Sequence, residues 1–286
     1  MSDRMTMTTA FVALLALAAL GPLPAHAQDW RTTTIMRQAT TEESLEVEIG
    51  YGAGTLSVEP AEGRMLYQAS LRYDAHGFEP VADYSNGRLR IGVDHNDDLR
   101  IGDHDDDEGG RMSLRLGRGV PLDLDFEFGA ALAEIELGGL SVRRLELSTG
   151  ASETRVRFSE PNPIRLEMLR IDVGAADFAI RGLGNANARE VRLNGGVAEM
   201  ELDFSGAWSG DTRLEADFGL GSLTLRVPRD VGLRVRKDTL LVSFEAPRMS
   251  KRGDDEYYSD NWNEASRKLT VDIDAAFGDI TIEWID

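Results

Sequence analysis

The 286-residue chain contains no cysteine and only four histidines, and aromatic residues make up 7% of it. The absence of cysteine excludes disulfide bonds, thiolate metal sites, cysteine nucleophiles and a lipid attached to an N-terminal cysteine. Basic residues are also scarce, because 31 Lys and Arg stand against 50 Asp and Glu, which gives a formal net charge of −19. Polyphosphates and anionic lipid surfaces repel such a chain, so nucleic acid and membrane surfaces are disfavoured as partners.

Long apolar runs are confined to the N-terminus. Residues 10–20 form an uncharged, mostly apolar run, which is too short to span a bilayer of about 30 Å. Pro22 and Pro24 interrupt any helix that would continue it, and Ala25-His26-Ala27 matches a small-x-small cleavage site. We predict that residues 1–27 are a signal peptide, that the mature protein begins at Gln28, and that it is periplasmic or extracellular with no membrane span after cleavage.

From Leu45 onward, apolar and polar residues alternate with the two-residue period typical of half-buried strands. A longer template recurs: apolar, any, apolar, small polar or acidic, any, glycine, and an apolar residue six positions after the glycine. Copies start at Leu45, Leu124, Leu145, Leu169, Val191 and Leu214, with a weaker copy at Val271. From Leu124 to Leu214 the copies are separated by 21, 24, 22 and 23 residues. A fixed period of this length indicates a solenoid.

Two positions of the template carry distinct chemistry. The polar position holds Glu48, Glu127, Ser148, Asp172, Asn194, Asp217 and Asp274. The glycine position holds Gly50, Gly129, Gly150, Gly174, Gly196 and Gly219, with Ala276 in the last copy. We predict that the glycine turns the chain at a corner with positive φ and that the polar side chain bonds the backbone there. The alternative for the polar position is a ladder of calcium sites, whose repeats are shorter and richer in Gly and Asp.

The repeat predicts an all-β fold, a single-chain β-solenoid or sandwich-like stack of rungs of about 22 residues. The leucine-rich repeat is the rival solenoid, because Val142-x-x-Leu145-x-Leu147 fits its first half. Its asparagine ladder is missing, however, since glycine stands at that place, and the second half of each unit also has a strand pattern.

The predicted organisation is a signal peptide (1–27), a lead segment (28–44), an N-terminal capping part of the stack (45–120) and a regular solenoid (121–286) with a polar insertion (246–268). Apolar starts at Leu66, Leu89 and Met112 predict degenerate rungs in the capping part, and Asn86-Gly87 predicts a hairpin turn. The final strands, 268–274 and 280–285, are expected to close the C-terminal end.

The apolar pairs around a glycine in Leu45–Val58, Leu169–Ile180 and Leu214–Val227 resemble those of the toast-rack family of bacterial envelope proteins. That family is related to adhesin-type β-repeat domains and similar to the C-terminal sensory domain of cell-wall stress regulators. The resemblance covers roughly residues 40–286. It implies a stacked all-β fold without an established catalytic site and a role in adhesion, scaffolding or envelope stress. Many relatives are membrane-anchored, whereas for this chain we expect only a cleavable signal.

The segment Asp94–Gly110 contains eight carboxylates together with His95 and His104. Asp103-x-Asp105-x-Asp107 begins like a calcium-binding EF-hand loop. The glycine and the terminal glutamate of that motif are replaced by Glu108 and Leu114, and the two histidines lack a third at ligand spacing. We predict a solvated acidic loop without a tight metal site, and no cofactor.

Tyr257, Tyr258 and Trp262 lie in the polar insertion and are the candidate ligand-binding residues. Aromatic rings on such a loop can stack on the apolar faces of sugars. The alternative is that they fold back over the edge of the solenoid as a cap.

Catalytic patterns are missing: there is no Gly-x-Ser-x-Gly elbow, no His-Glu-x-x-His and no phosphate-binding glycine loop. The favoured function is a non-catalytic β-repeat protein in cell-envelope adhesion, scaffolding or stress sensing, with an envelope protein or glycan as partner. The alternative is a secreted carbohydrate-active enzyme, a glycosidase or polysaccharide lyase on a β-helix. A groove that collects carboxylates with perturbed pKa values would favour the enzyme.

Overall fold

The computed structural model describes residues 29–95 and 109–286. The predicted signal peptide and residues 96–108 of the acidic segment, including the EF-hand-like stretch, lie outside the described residues.

The described residues form an all-β protein, as predicted. The strands are β1 Trp30–Gln38, β2 Leu45–Pro60, β3 Met65–Asp74, β4 Phe78–Ser85, β5 Arg88–His95, β6 Arg111–Leu116, β7 Leu122–Glu136, β8 Val142–Thr149, β9 Glu153–Arg157, β10 Leu166–Arg181, β11 Ala188–Asp203, β12 Thr212–Pro228, β13 Gly232–Glu245, β14 Met249–Lys251, β15 Glu256–Ser259 and β16 Lys268–Ile285. A single turn of helix, α1 (Leu183–Ala186), joins β10 to β11. Within these ranges no helix is long and apolar enough to cross a membrane.

The strands stack in parallel as rungs, in the order β2, β7, β8 with β9, β10, β11, β12, β16 and β13. The interior long rungs bury alternate side chains in both halves, as in β10, where Leu169, Ile171, Phe178 and Ile180 are fully buried, whereas β13 buries side chains only in its first half. The buried positions change from odd to even numbers around Gly174, so the strand turns there and keeps one side toward the core. Each such burial stabilises the fold by about 1.5–3 kcal/mol before conformational entropy is counted.

The register of the repeat is confirmed for the copies from Leu124 onward. Leu124 pairs with Leu145, Leu145 with Leu169, and Leu214 with Val271. Arg170 lies opposite Glu146, as the spacing predicted.

The first copy is shifted by two residues from the prediction. Val47, rather than Leu45, pairs with Leu124, and Gly52, rather than Gly50, approaches Gly129. A shift of two residues leaves every side chain on the same face of a strand, so the alternating pattern could not distinguish the two registers.

The predicted positive φ at the glycine position is wrong. The glycines with positive φ lie elsewhere: Gly54, Gly63, Gly87, Gly139, Gly182, Gly206, Gly221 and Gly278. The glycine position instead reflects a close approach of backbones in neighbouring rungs. A Cβ atom on Gly129 would lie 2.5 Å from the carbonyl oxygen of Gly52, and one on Gly196 would lie 2.8 Å from that of Gly174.

The N-terminal end is covered by shorter strands. β5 pairs with the first half of β2 and β6 with its second half, so the predicted rungs at Leu89 and Met112 form one divided rung. β3, which contains Leu66, runs antiparallel to β6 and β1 and is not a rung. The predicted hairpin is confirmed, because Asn86 and Gly87 join β4 to β5 with positive φ at both residues.

The final strands do not close the C-terminal end. β16 lies between β12 and β13, so the last rung is β13, which comes earlier in the chain. The template does not match β13, because Lys237 replaces an apolar residue and Leu240 replaces the glycine. The polar insertion contains β14 and β15, which form an antiparallel pair against the first half of β13.

Candidate binding groove

A groove of about 1350 Å³ runs across the rungs at the point where each strand turns. At β7, β8, β10 and β12 its lining is a polar residue, a buried residue and the glycine of the template. In β10 these are Asp172, Val173 and Gly174, and in β12 they are Asp217, Phe218 and Gly219. The groove therefore follows the repeat itself and extends from β2 to β13.

The glycine column opens this groove. Gly129, Gly150, Gly174, Gly196 and Gly219 stand in successive rungs and present no side chain to it. The close approach that excludes a Cβ from these positions also leaves a continuous depression beside the polar residues.

Seven polar side chains form a row along the groove, here called the polar row. Its members are Glu127, Ser148, Asp172, Asn194, Asp217, Asp274 and Asp238, in rung order. Neighbouring members are separated by about the spacing of strands in a sheet, ~4.8 Å. Because five of the seven are carboxylates, the row is a line of negative charge.

The polar row bonds along itself rather than to a turn of the backbone. Asn194 Nδ2 donates to Asp172 Oδ1 over 2.6 Å. The prediction that the polar position serves turn chemistry is therefore wrong, and the position lines the groove instead.

The last three members, Asp217, Asp274 and Asp238, are carboxylates in adjacent rungs. The pKa of Asp217 is raised, first because the group is partly withdrawn from water and second because Asp274 places a like charge and a hydrogen bond beside it. This end of the groove favours a positively charged ligand, since a cation would relieve the repulsion.

An exposed apolar ridge stands next to the glycine column, at the residue that follows the glycine. Val197, Leu220, Phe277 and Leu241 occupy this position in four adjacent rungs, and their exposed fractions are 56%, 50%, 44% and 68%. Closer to the N-terminal end, alanines such as Ala130 and Ala175 stand there. Contiguous exposed apolar surface of this kind marks interaction sites. We call these four residues the apolar ridge.

The sequence-predicted aromatic residues lie outside the groove, at the end of the stack. Tyr258 and Trp262 pack edge to face at 5.5 Å, whereas Tyr257 packs on Phe244 at 4.7 Å. Cationic groups lie over all three rings. Lys251 Nζ is 5.9 Å from the ring centre of Tyr257, Arg252 is 5.2 Å from that of Tyr258, and Lys268 Nζ is 4.9 Å from that of Trp262. All three aromatic residues are half-buried, and sugar binding by them stays a prediction.

Sequence reasoning found the polar row and the glycine column but did not assign them to a groove. It missed the apolar ridge, although the residue after each template glycine becomes larger from Ala175 to Val197 and Leu220. Among the described residues, no group of three or more His, Asp or Glu side chains has a metal-binding arrangement.

The chain matches one protein family, described as the N-terminal domain of toast_rack, DUF2154, over residues 25–181. A search of curated protein sequences found no significant match.

Similar solved structures include a putative cell adhesion protein from Clostridium sporogenes, with 14% identity, a TM-score of 0.47, and 90% of this chain and 100% of that chain covered. A putative adhesin from Bacteroides fragilis has 9% identity, a TM-score of 0.40, and coverage of 88% and 97%. A putative lipid binding protein from Parabacteroides distasonis has 10% identity, a TM-score of 0.34, and coverage of 90% and 97%. At this level of similarity, the ligands and partners of those proteins do not transfer to this chain. The family match covers more than half of the sequence, and the chain therefore belongs to the toast-rack family.

Proposed function

We propose that this protein is a non-catalytic binding protein of the cell envelope, acting in adhesion or scaffolding, and that the groove receives an extended ligand with regularly spaced positive charges. The observation that carries the proposal is the polar row, in which carboxylates repeat from rung to rung beside the apolar ridge. The envelope location is supported by the predicted signal peptide and by membership of the toast-rack family.

The chemistry of the ligand follows from the polar row in the groove and from the apolar ridge next to the glycine column. A polymer lying across the rungs meets a carboxylate at nearly every step, so amines along the polymer complement it electrostatically. Apolar groups of the polymer that reach beyond the glycine column would cover Leu220 and Phe277, which are 50% and 44% exposed. Basic polypeptides and amino-sugar polymers share this chemistry.

Titration with three fluorescent probes tests the proposal and separates the two sources: oligolysine, an oligomer of glucosamine, and its N-acetylated counterpart, which lacks the charges. We expect binding of at least one charged probe and none of the acetylated one. Asp217→Asn combined with Asp274→Asn should weaken binding about three- to tenfold, and Phe277→Ser should weaken it as well.

The matched control is Asp177→Asn combined with Glu199→Gln, two exposed carboxylates of β10 and β11 that do not line the groove. If the control weakens binding as much as the groove variant, the interaction reports only the overall negative charge and the proposal fails. Equal binding of charged and acetylated glucosamine oligomers would also contradict it.

A carbohydrate-active enzyme is the second candidate, because Asp217 and Asp274 are neighbouring carboxylates and the pKa of Asp217 is raised. Glycosidases use two carboxyl groups that flank the scissile bond. Asp217 and Asp274 instead occupy the same position on parallel strands, which favours binding over hydrolysis. Release of reducing sugar from envelope polysaccharides that is abolished by Asp274→Asn would establish the enzyme instead.

A further inference from the structure

The last rung of the stack has an open edge. β13 pairs with β16 on one side over its whole length, from Gly232 to Glu245. On its other side β15 pairs only with residues 234–236, and the last backbone bond is from Lys237 N–H to the carbonyl of Asp255. The following residues, 238–245, have no strand partner on that side among the residues that the structure describes. We call this stretch the open edge.

The open edge has the composition of an interior strand. Residues 239–244 read Thr-Leu-Leu-Val-Ser-Phe, without a charge or a proline. Leu240 and Leu241 are 77% and 68% exposed, more than any other large apolar side chain among the described residues. Unpaired backbone groups beside exposed leucines make a template for another strand.

The other strands at the margins of the described sheet carry features that discourage pairing. β1 carries Arg31 and Arg37, β4 contains Pro80, and β14 has only three residues, one of them Lys251. Charges, proline and short length are the usual protections of sheet edges. The open edge has neither proline nor short length, and its charges are confined to its two ends, so its uncharged centre, residues 239–244, is distinguished as a docking surface.

The charges around the open edge are negative. Asp238 and Glu245 stand at its two ends, and neither has an ion-pair partner within the described part of the chain. Asp254 lines a small depression beside Asp238. Of the nearby cations, Arg236 is paired with Asp272 over 2.9 Å, whereas Lys237 Nζ bonds the neutral hydroxyl of Thr239 and keeps its charge. The carboxylates of Asp238, Glu245 and Asp254 outnumber it. A strand with basic residues at its ends complements this edge.

A second copy of the chain fits poorly. Two open edges facing each other would bring acidic ends together on molecules that each carry a net charge of −19. If copies stacked head to tail, three strands (β6, β3 and β1) would lie between the second half of β13 and the second half of β2 in the next copy. Four strands would lie between the first halves, namely β15 and β14 of one copy with β5 and β4 of the next. Since neighbouring strands are about 4.8 Å apart, the two halves would require different distances between the copies.

We therefore propose that residues 238–245 accept an extended segment of another protein as an added strand, with an apolar centre and basic residues at its ends. Backbone hydrogen bonds would supply the affinity, and Leu240 and Leu241 would pack on the apolar centre. Such a site lies along a strand at the end of the stack, whereas the proposed groove ligand lies across the rungs. The two sites meet at Asp238 and Leu241, so groove binding is tested separately through Asp217 and Asp274, which lie outside the open edge.

The test uses the full chain and a peptide of valine and threonine flanked by lysines. A peptide with the same centre flanked by glutamates is the matched probe. Fluorescence anisotropy should detect the lysine peptide and not the glutamate peptide. Hydrogen exchange followed by mass spectrometry should show new protection at residues 238–245. Asp238→Lys combined with Glu245→Lys should weaken the lysine peptide by about tenfold or more and allow the glutamate peptide to bind. Leu241→Ser should weaken binding of the lysine peptide to the wild-type protein and of the glutamate peptide to the double lysine variant.

Asp177→Lys combined with Glu199→Lys is the control, because it changes the net charge equally at exposed positions of interior rungs. An equal loss in this control, or new protection at Asp172, Asn194 and Asp217 of the interior rungs instead of at residues 238–245, would overturn the proposal. Protection of residues 238–245 in the free protein together with a dimeric mass would assign the edge to a second copy and overturn it as well. No binding of the lysine peptide by the wild-type protein would also refute it. Asp217→Asn combined with Asp274→Asn, which should weaken binding in the groove, should leave the affinity for the lysine peptide unchanged.

Discussion

Gly174 and Gly150 approach so closely that a Cβ atom on Gly174 would lie 2.9 Å from the carbonyl oxygen of Gly150. Real Cβ atoms essentially never come that close to a backbone oxygen, so one of the two rungs would have to shift. The same relationship links Gly196 to Gly174 and Gly219 to Gly196, at 2.8 and 3.0 Å. The glycine column thus permits this close backbone approach where the strands turn and, by lacking side chains, opens the groove.

Gly174→Val should destabilise the protein, because a branched side chain forces the backbones of β10 and its neighbour apart. We expect a loss of about 1–3 kcal/mol and a melting temperature lower by several degrees. Arg170→Ala, on the polar face of the same rung, should change the melting temperature little. Differential scanning calorimetry checks both variants. Equal, negligible effects would mean that the close approach of the rungs does not require glycine at position 174.

Asp217→Asn should raise the melting temperature at neutral pH. The raised pKa of Asp217 means that its ionised form is less favourable in the folded protein than in the unfolded chain. That penalty is present above the folded pKa and vanishes as the pH falls below the unfolded value, since both states then bind the proton. An amide also allows a bond to Asp274 like the one from Asn194 to Asp172.

Melting curves at pH 7 and near pH 3 test this, with Asp177→Asn as the exposed control. A gain of about one or two degrees at pH 7 that disappears in acid is expected. A gain of the same size at both pH values would contradict the electrostatic cause.

The sequence predicted the all-β stack and the register of six copies, because glycine and its apolar neighbours recur together from Leu124 to Val271. It failed for the first copy, where Gly50 and Gly52 offer two alignments that place every side chain on the same face. It also failed for the order of the last strands. β16 pairs with β12 and β13 and so lies between two strands that follow each other in the chain. The alternation of apolar and polar residues shows that a segment is a strand but not which strands it pairs with.

The groove was only half predictable. The polar position was visible, yet whether Asp172 bonds a turn or faces a groove depends on how the chain turns at Gly174. The apolar ridge could have been found, since Val197, Leu220 and Phe277 each follow the glycine position. The open edge could not, because it exists only through the pairing of β13 with β16.

Glu42→Gln should destabilise the folded protein at neutral pH but not in acid. The pKa of Glu42 is lowered to about 2 because the backbone N–H groups of Thr40 and Glu42 donate to its carboxylate, with a further bond from Arg37. A lowered pKa contributes stability above the unfolded value of 4.5, and this contribution is lost as the pH falls through about 2.

We expect the melting temperature of Glu42→Gln to be a few degrees below that of the wild type at pH 7, with the difference shrinking between pH 4.5 and 2. Glu43→Gln, at an exposed neighbouring position, is the control. A constant difference across this range would attribute the effect to shape rather than to charge.

Asn162→Leu should be more damaging than either carboxylate variant. Asn162 is 6% exposed, and its side chain ties three segments together. Its Oδ1 accepts from the N–H of Val142 over 3.1 Å, and its Nδ2 donates to the carbonyls of Val142 and Ala186 over 2.7 and 3.2 Å. Leucine has nearly the same volume but leaves these buried backbone groups without partners, which costs about 1–3 kcal/mol. The melting temperature should fall by several degrees.

Asn162→Asp keeps the acceptor but loses both donor bonds, so it should also destabilise the protein. Asn263→Leu, at an exposed position, should not. If Asn162→Leu melted like the wild type, the backbone groups of Val142 and Ala186 would have to find other partners, and the amide would not be holding the rungs in place.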